Sequence, residues 1–184
     1  MPDDAEGGSI RPMSEPVNES DTSGRSAAPK KRRKFLVVVD GTPESEVAIH
    51  FASLRACHTN GVVTLLAVIE PGEASQQWLG VKNIMQEEAR AEAEELLHRL
   101  AAHVNEYAGI MPELIIREGR RAEQVMQLIA EDKDIAILVL AAGLGKEGPG
   151  PLVTMVASAS EKAFPIPVTV VPGNLTEEAL RSLA

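Results

Sequence analysis

Four short apolar runs do most to limit what this chain can become. They are "FLVVVD" (35–40), "VVTLLAVIE" (62–70), "DIAILVLA" (134–141) and "PIPVTVVP" (165–172). A strand with one wet face alternates apolar and polar residues. A run that is apolar at nearly every position has two faces to bury, which is the signature of a parallel sheet covered on both sides. A fifth run, "PELIIRE" (112–118), alternates more and reads as a less buried strand.

The segments between the runs carry helical spacing. After Asp40-Gly41, Thr42 has the chemistry of an N-cap, Pro43 suits the first helical position and Glu44 the first turn. Val47, Phe51 and Leu54 continue the helix to about Thr59, where Asn60-Gly61 stops it. "PGEASQQWLG" (71–80) reads as a loop or broken helix. A long helix is expected from about Ile84 to Ala108, with Ala89, Ala93, Leu96, Leu97, Leu100 and Val104 on one side and Gly109 as its cap. Gly119 turns into a helix over 121–131 with Val125, Leu128 and Ile129 inward. Another is expected over 151–163, and "TEEALRSLA" suggests a short terminal helix. The order β-α-β-α-β-α-β-α-β predicts a doubly wound, five-stranded parallel sheet with helices on both faces and the last strand at its edge.

Residues 1–34 lack apolar periodicity and are rich in Ser, Pro, Gly and acids, so they read as a disordered tail. It ends in the basic run Lys30 to Lys34. That run is either a solvated stretch before the first strand or a patch for an acidic partner or membrane surface. Residues 35–173 form the expected domain and 174–184 a short extension.

Charge and composition narrow the function classes. The first 34 residues hold seven basic and six acidic side chains, the rest eleven basic and twenty-one acidic. An acidic body disfavours non-specific nucleic-acid binding, and 3% aromatics leaves little with which to stack bases. No apolar run has the length of a membrane span. With no secretory signal and a single cysteine, Cys57, the expected location is cytoplasmic.

Catalytic and metal motifs do not emerge. The turn after the first strand reads "DGTPES", not G-x-G-x-x-G. A Walker A loop and a nucleophile elbow are both missing from the sequence. His50, His58, His98 and His103 have no metal-site spacing with one another or with Cys57. No catalytic residue and no metal ligand is assigned. What stands out is "AAGLGKEGPGP" (141–151), a glycine-rich turn after a buried strand, where open α/β sheets place ligands. At the same edge of the sheet Asp40 ends the first strand. Its carboxylate can accept a hydrogen bond from a base or ribose, or satisfy the N–H groups of its own turn. Thr154 and Ser158 follow in the next helix, where Ser158 reads either as a ligand contact or as ordinary helix packing.

In order along the chain, "FLVVVDGTPESEVAI", "VTLLAVIEP", "REGRRAEQVMQLIAEDKDIAILVLA" and "SASEKAFPIPVTVVPG" resemble the blocks of universal stress proteins. The resemblance spans residues 35–173. It implies a fold of the adenine-nucleotide alpha-hydrolase type and a homodimer joined through the last strand, here Val168, Val170 and Val171. An apolar, β-prone edge strand makes such pairing physically sensible. Some members bind ATP and others lack the loop for it. Binding members carry G-x2-G-x9-G-[ST] after the fourth strand. Here the first glycine falls on Ala141 or Ala142 and the second near Leu144, between Gly143 and Gly145. The final pair falls on Ala157-Ser158, and the connecting segment, with Glu147, Pro149 and Pro151, is too long. Asp40 matches the residue that meets adenine and ribose, with Gly41 beside it, and Val68 matches the backbone position ending the second strand. The resemblance therefore implies a non-catalytic, dimeric stress-response protein with weak, altered or absent nucleotide binding and an unknown protein partner. The alternative is a true ATP- or AMP-binding module, with Mg if ATP, using Gly143, Gly145 and Gly148 in a remodelled loop.

Overall fold

A computed structural model describes residues 31–71, 79–146, 148–158 and 164–184, with side chains over 79–83 left aside. Lys31–Ala184 form one compact unit. The strands are β1 (Lys34–Val39), β2 (Val62–Ile69), β3 (Glu113–Glu118), β4 (Ile135–Ala142) and β5 (Val168–Pro172). The helices are α1 (Pro43–Thr59), α2 (Leu79–Ala108), α3 (Arg121–Glu131), α4 (Pro151–Ser158) and α5 (Glu177–Leu183).

All neighbouring strands pair in parallel, in the order β3-β2-β1-β4-β5. The doubly wound sheet and the edge position of β5 are as the sequence predicts. β1 lies at the centre, and every residue from Phe35 to Val39 is buried. Its pleat feeds two cores. Phe35, Val37 and Val39 face a layer built with Ile49 and Ala52 of α1, Leu97 and Leu100 of α2, and Leu180 of α5. Leu36 and Val38 face Val125 and Leu128 of α3 and Leu152 of α4. The continuous apolar pattern of β1 is thus the direct consequence of helices on both sides.

Element ends follow local chemistry. Thr42 Oγ1 accepts from the Ser45 N–H at 3.3 Å, and Thr176 caps α5 the same way. α1 ends with Asn60 in the left-handed region (φ 52°), while the Gly61 N–H donates back to the Ala56 carbonyl at 2.7 Å. α2 begins at Leu79, a turn before the expected Ile84. Gly80 argued against an earlier start, yet the helix tolerates it, a cost of about 1 kcal/mol that a helix this long readily carries. β4 extends into the glycine-rich stretch, where Ala141 and Ala142 pair with Val171 and Pro172. Residues 1–30 of the tail expected over 1–34, Glu147, residues 72–78 and the end of the helix expected over 151–163 (159–163) lie outside the described residues, while Lys34, the expected tail's last residue, opens β1.

The basic run is engaged by the fold over its described part. Lys31 Nζ pairs with Asp134 at 3.2 Å, and Arg32 Nη2 donates to the Gly61 carbonyl at 2.6 Å. Lys34 Nζ bridges Glu113 at 2.7 Å and Asp132 at 2.8 Å.

Candidate functional site

β1 leads into α1 on one face of the sheet, and β4 leads toward α4 on the other. The carboxyl ends of these two neighbouring strands therefore part, which opens the crevice that α/β sheets use for ligands.

On the β1 side, Asp40 is exposed and anchors its own turn. Its Oδ1 accepts from the Thr42 N–H at 3.2 Å and from the Thr42 hydroxyl at 2.8 Å. Gly41 sits at φ 77°, a conformation that favours glycine. Asp40, Thr42 and the Ser45 N–H thus form one chain of hydrogen bonds that sets the entry to α1.

On the β4 side, the glycine-rich loop folds on itself. The Gly148 N–H donates to the Gly145 carbonyl at 3.1 Å. The glycines with positive φ are Gly148 (82°) and Gly150 (94°), not Gly143 or Gly145. A side chain at Gly145 would meet nothing, and one at Gly143 would meet only the Gly148 carbonyl oxygen at 3.1 Å. Pro151 opens α4. Thr154 donates both its N–H and its hydroxyl to the Gly150 carbonyl, so neither points at an anion.

What lies between is a cavity of about 50 Å³. Its walls are Val38, Asp40, Ser45, Arg121, Leu140 and the segment from Pro149 to Val153. Nucleotide-sized pockets start at about 300 Å³, so a nucleotide does not fit the crevice in this form. Two polar groups are nevertheless left without partners among the described residues. They are Ser45 Oγ, on a residue 1% exposed, and Arg121 Nε. Glu70, just past the end of β2, holds Arg121 twice: guanidinium Nη2 lies 3.8 Å from Glu70 Oε2, and the Arg121 backbone N–H donates to Glu70 Oε1 at 3.1 Å. Crevice chemistry among the described residues is therefore a carboxylate, a hydroxyl and a guanidinium, none of them paired as nucleophile and base.

The other expected residues lie apart from this crevice. Val68 is half-buried and packs against the α3/α4 core. Ser158 stands almost two turns beyond the start of α4, its hydroxyl donating to the Thr154 carbonyl at 2.7 Å. Within β5, Val171 is in the core while Val170 is exposed. Ser45, Arg121 and Glu70 were missed by the sequence reading. Glu70 could have been flagged, since it too ends a strand at the ligand-binding edge.

Among the described residues no group of three or more His, Cys, Asp or Glu is placed to hold a metal. None of the described helices is long and apolar enough to cross a membrane.

The sheet order and the crevice at the switch point place the chain in the doubly wound class of parallel α/β folds. The model of the universal stress protein family matches residues 31–172, and the chain belongs to that family. Solved structures agree on the fold. The universal stress protein UspA from Lactobacillus plantarum superposes with TM-score 0.64 at 17% identity, covering 78% of this chain and 99% of that one. A universal stress protein family protein from Arabidopsis thaliana with AMP bound gives 0.54 at 18%, covering 76% and 91%. The universal stress protein from Archaeoglobus fulgidus in complex with dAMP gives 0.51 at 18%, covering 76% and 98%. No curated protein matches.

Proposed function

We propose that this universal stress protein is a non-catalytic, dimeric regulator of the stress response in which nucleotide binding is weak, altered or absent. The observation that carries the reading is the crevice volume of about 50 Å³, lined on the loop side by Pro149, Gly150 and Pro151. Proline offers no N–H to an anion, and the Gly148 N–H is spent inside the loop. The dimer would form through β5, whose outer edge carries exposed Val170. Cytoplasmic residence and an as yet unnamed protein partner belong to the same reading.

A second reading, a true ATP or AMP module, draws on the unpartnered Ser45 Oγ and Arg121 Nε and on the AMP and dAMP bound by two similar structures. Calorimetric titration with AMP, and with ATP in the presence of Mg, separates the two. The first reading expects no saturable heat at micromolar protein. A micromolar dissociation constant for either nucleotide overturns it, and loss of that binding in Gly145→Val would then assign it to the loop.

A further inference from the structure

A second and larger cavity, about 490 Å³, lies where α1, the end of α2 and α5 meet. α5 lies beyond the family-matched stretch, residues 31–172, so one wall comes from outside that match. The volume falls within the range of small-molecule sites.

Its lining has a definite chemistry. His50, only 8% exposed, stacks on Tyr107 with ring centroids 4.0 Å apart and planes 12° from parallel. Neither ring's polar atoms hydrogen-bond to any described residue. Glu46, Glu106 and Glu177 supply three carboxylates and Arg181 the one cation. Arg181 Nη2 lies 2.6 Å from Glu177 Oε1, so its charge is spent there. Glu46 and Glu106 form no ion pair with a described residue. Leu175 and Leu180 add apolar wall. Burial first, then Arg181, pushes the His50 pKa down against the pull of Glu177, so the imidazole is neutral and can accept a hydrogen bond. Burial and then Glu46, Glu106 and Glu177 push the Tyr107 phenol up, so it stays protonated. The acids are not grouped tightly enough for a metal ion. Their spread over α1, α2 and α5, beside an aromatic stack and aliphatic side chains, suits an extended cation with an apolar stem.

We propose that this cavity binds a small organic cation of the alkylammonium class. Its charge sits against Glu46 and Glu106 and its stem against the His50–Tyr107 stack. The site shares no lining residue with the crevice between β1 and β4.

Calorimetry on the full chain with spermidine as probe tests it. One saturable site is expected. The double change Glu46→Gln/Glu106→Gln should weaken it about tenfold, the combined loss of a half-buried and an exposed charge contact. Glu88→Gln/Glu92→Gln removes equal charge from the exposed face of α2 and should leave affinity within about twofold, because distant surface charge is screened. A capped Gly-Lys-Gly peptide, run in parallel, separates a free amine from a lysine side chain as the source of the cation. Tighter binding of either one supports the site and names that source. Non-saturable binding, or equal weakening by both double variants, overturns the proposal by assigning binding to overall negative charge.

Discussion

Gly61 and Asn60 divide a task that the dipeptide Asn-Gly suggests belongs to the glycine. Asn60 takes the left-handed turn, and Gly61 is needed for closeness instead. A Cβ on Gly61 would stand 2.8 Å from Phe35 Cε2 and 2.9 Å from the Arg33 carbonyl oxygen. One of these is backbone and the other the edge of a buried ring, so neither yields easily. Gly61→Ala should therefore destabilise the fold by about 1–3 kcal/mol, the usual cost of overpacking. Urea denaturation checks it, and an unchanged midpoint would show that the α1–β2 turn can shift. Residue identity at this turn was legible in the sequence, but its reason was not. The stop signal is local, whereas the contact that requires glycine comes from β1, about one helix away in the chain. The same limit applies at the crevice. Asp40 was legible because it ends an apolar run. Arg121 was not, because its partner Glu70 is fifty-one residues distant.

At the scale of elements, Lys34 joins three of them. Its ammonium lies 19% exposed at the start of β1, bonded to Glu113 of β3 and to Asp132, which caps the end of α3. Burial works against its charge, but the bonds and charges of Asp132 and Glu113 prevail and raise its pKa. For Asp132, burial works to raise the pKa, and the bonds from Lys34 and from the Asp134 N–H outweigh it and lower it. A carboxylate with a lowered folded pKa stabilises fully above its unfolded pKa. That contribution is lost as pH falls through the folded value, here below about pH 4. Lys34→Met should cost about 1 kcal/mol at pH 7, between an exposed and a buried charged pair. The deficit should shrink in acid as Asp132 protonates. Urea midpoints at pH 7 and pH 3 measure both, and a deficit that does not change with pH would assign the loss to packing. The strands themselves were legible because burial on two faces leaves an unbroken apolar run. The start of α2 was not, because Gly80 marks a break that a thirty-residue helix absorbs.

For the whole molecule, the proposed dimer makes a direct demand on β5. Val171 is spent in the core at 2% exposure, so a partner can reach the strand's open backbone edge and the side chains left uncovered, Val170 among them at 39% exposure. A charge at an exposed edge position discourages strand pairing without disturbing the monomer. Val170→Lys should therefore shift sedimentation from dimer to monomer and leave thermal stability of the monomer nearly unchanged. A wild-type monomer at all concentrations would remove the dimer altogether. The central place of β1 has a further consequence, in time rather than in space. Lys34 pairs with Val62 on one side and with Ile135 on the other. During synthesis the most buried strand is made early, and one of its two neighbours follows about a hundred residues later. At ribosomal speeds the nascent chain holds that strand half-paired for roughly 5–20 s, an interval in which a chaperone, not the native sheet, must shield its open side.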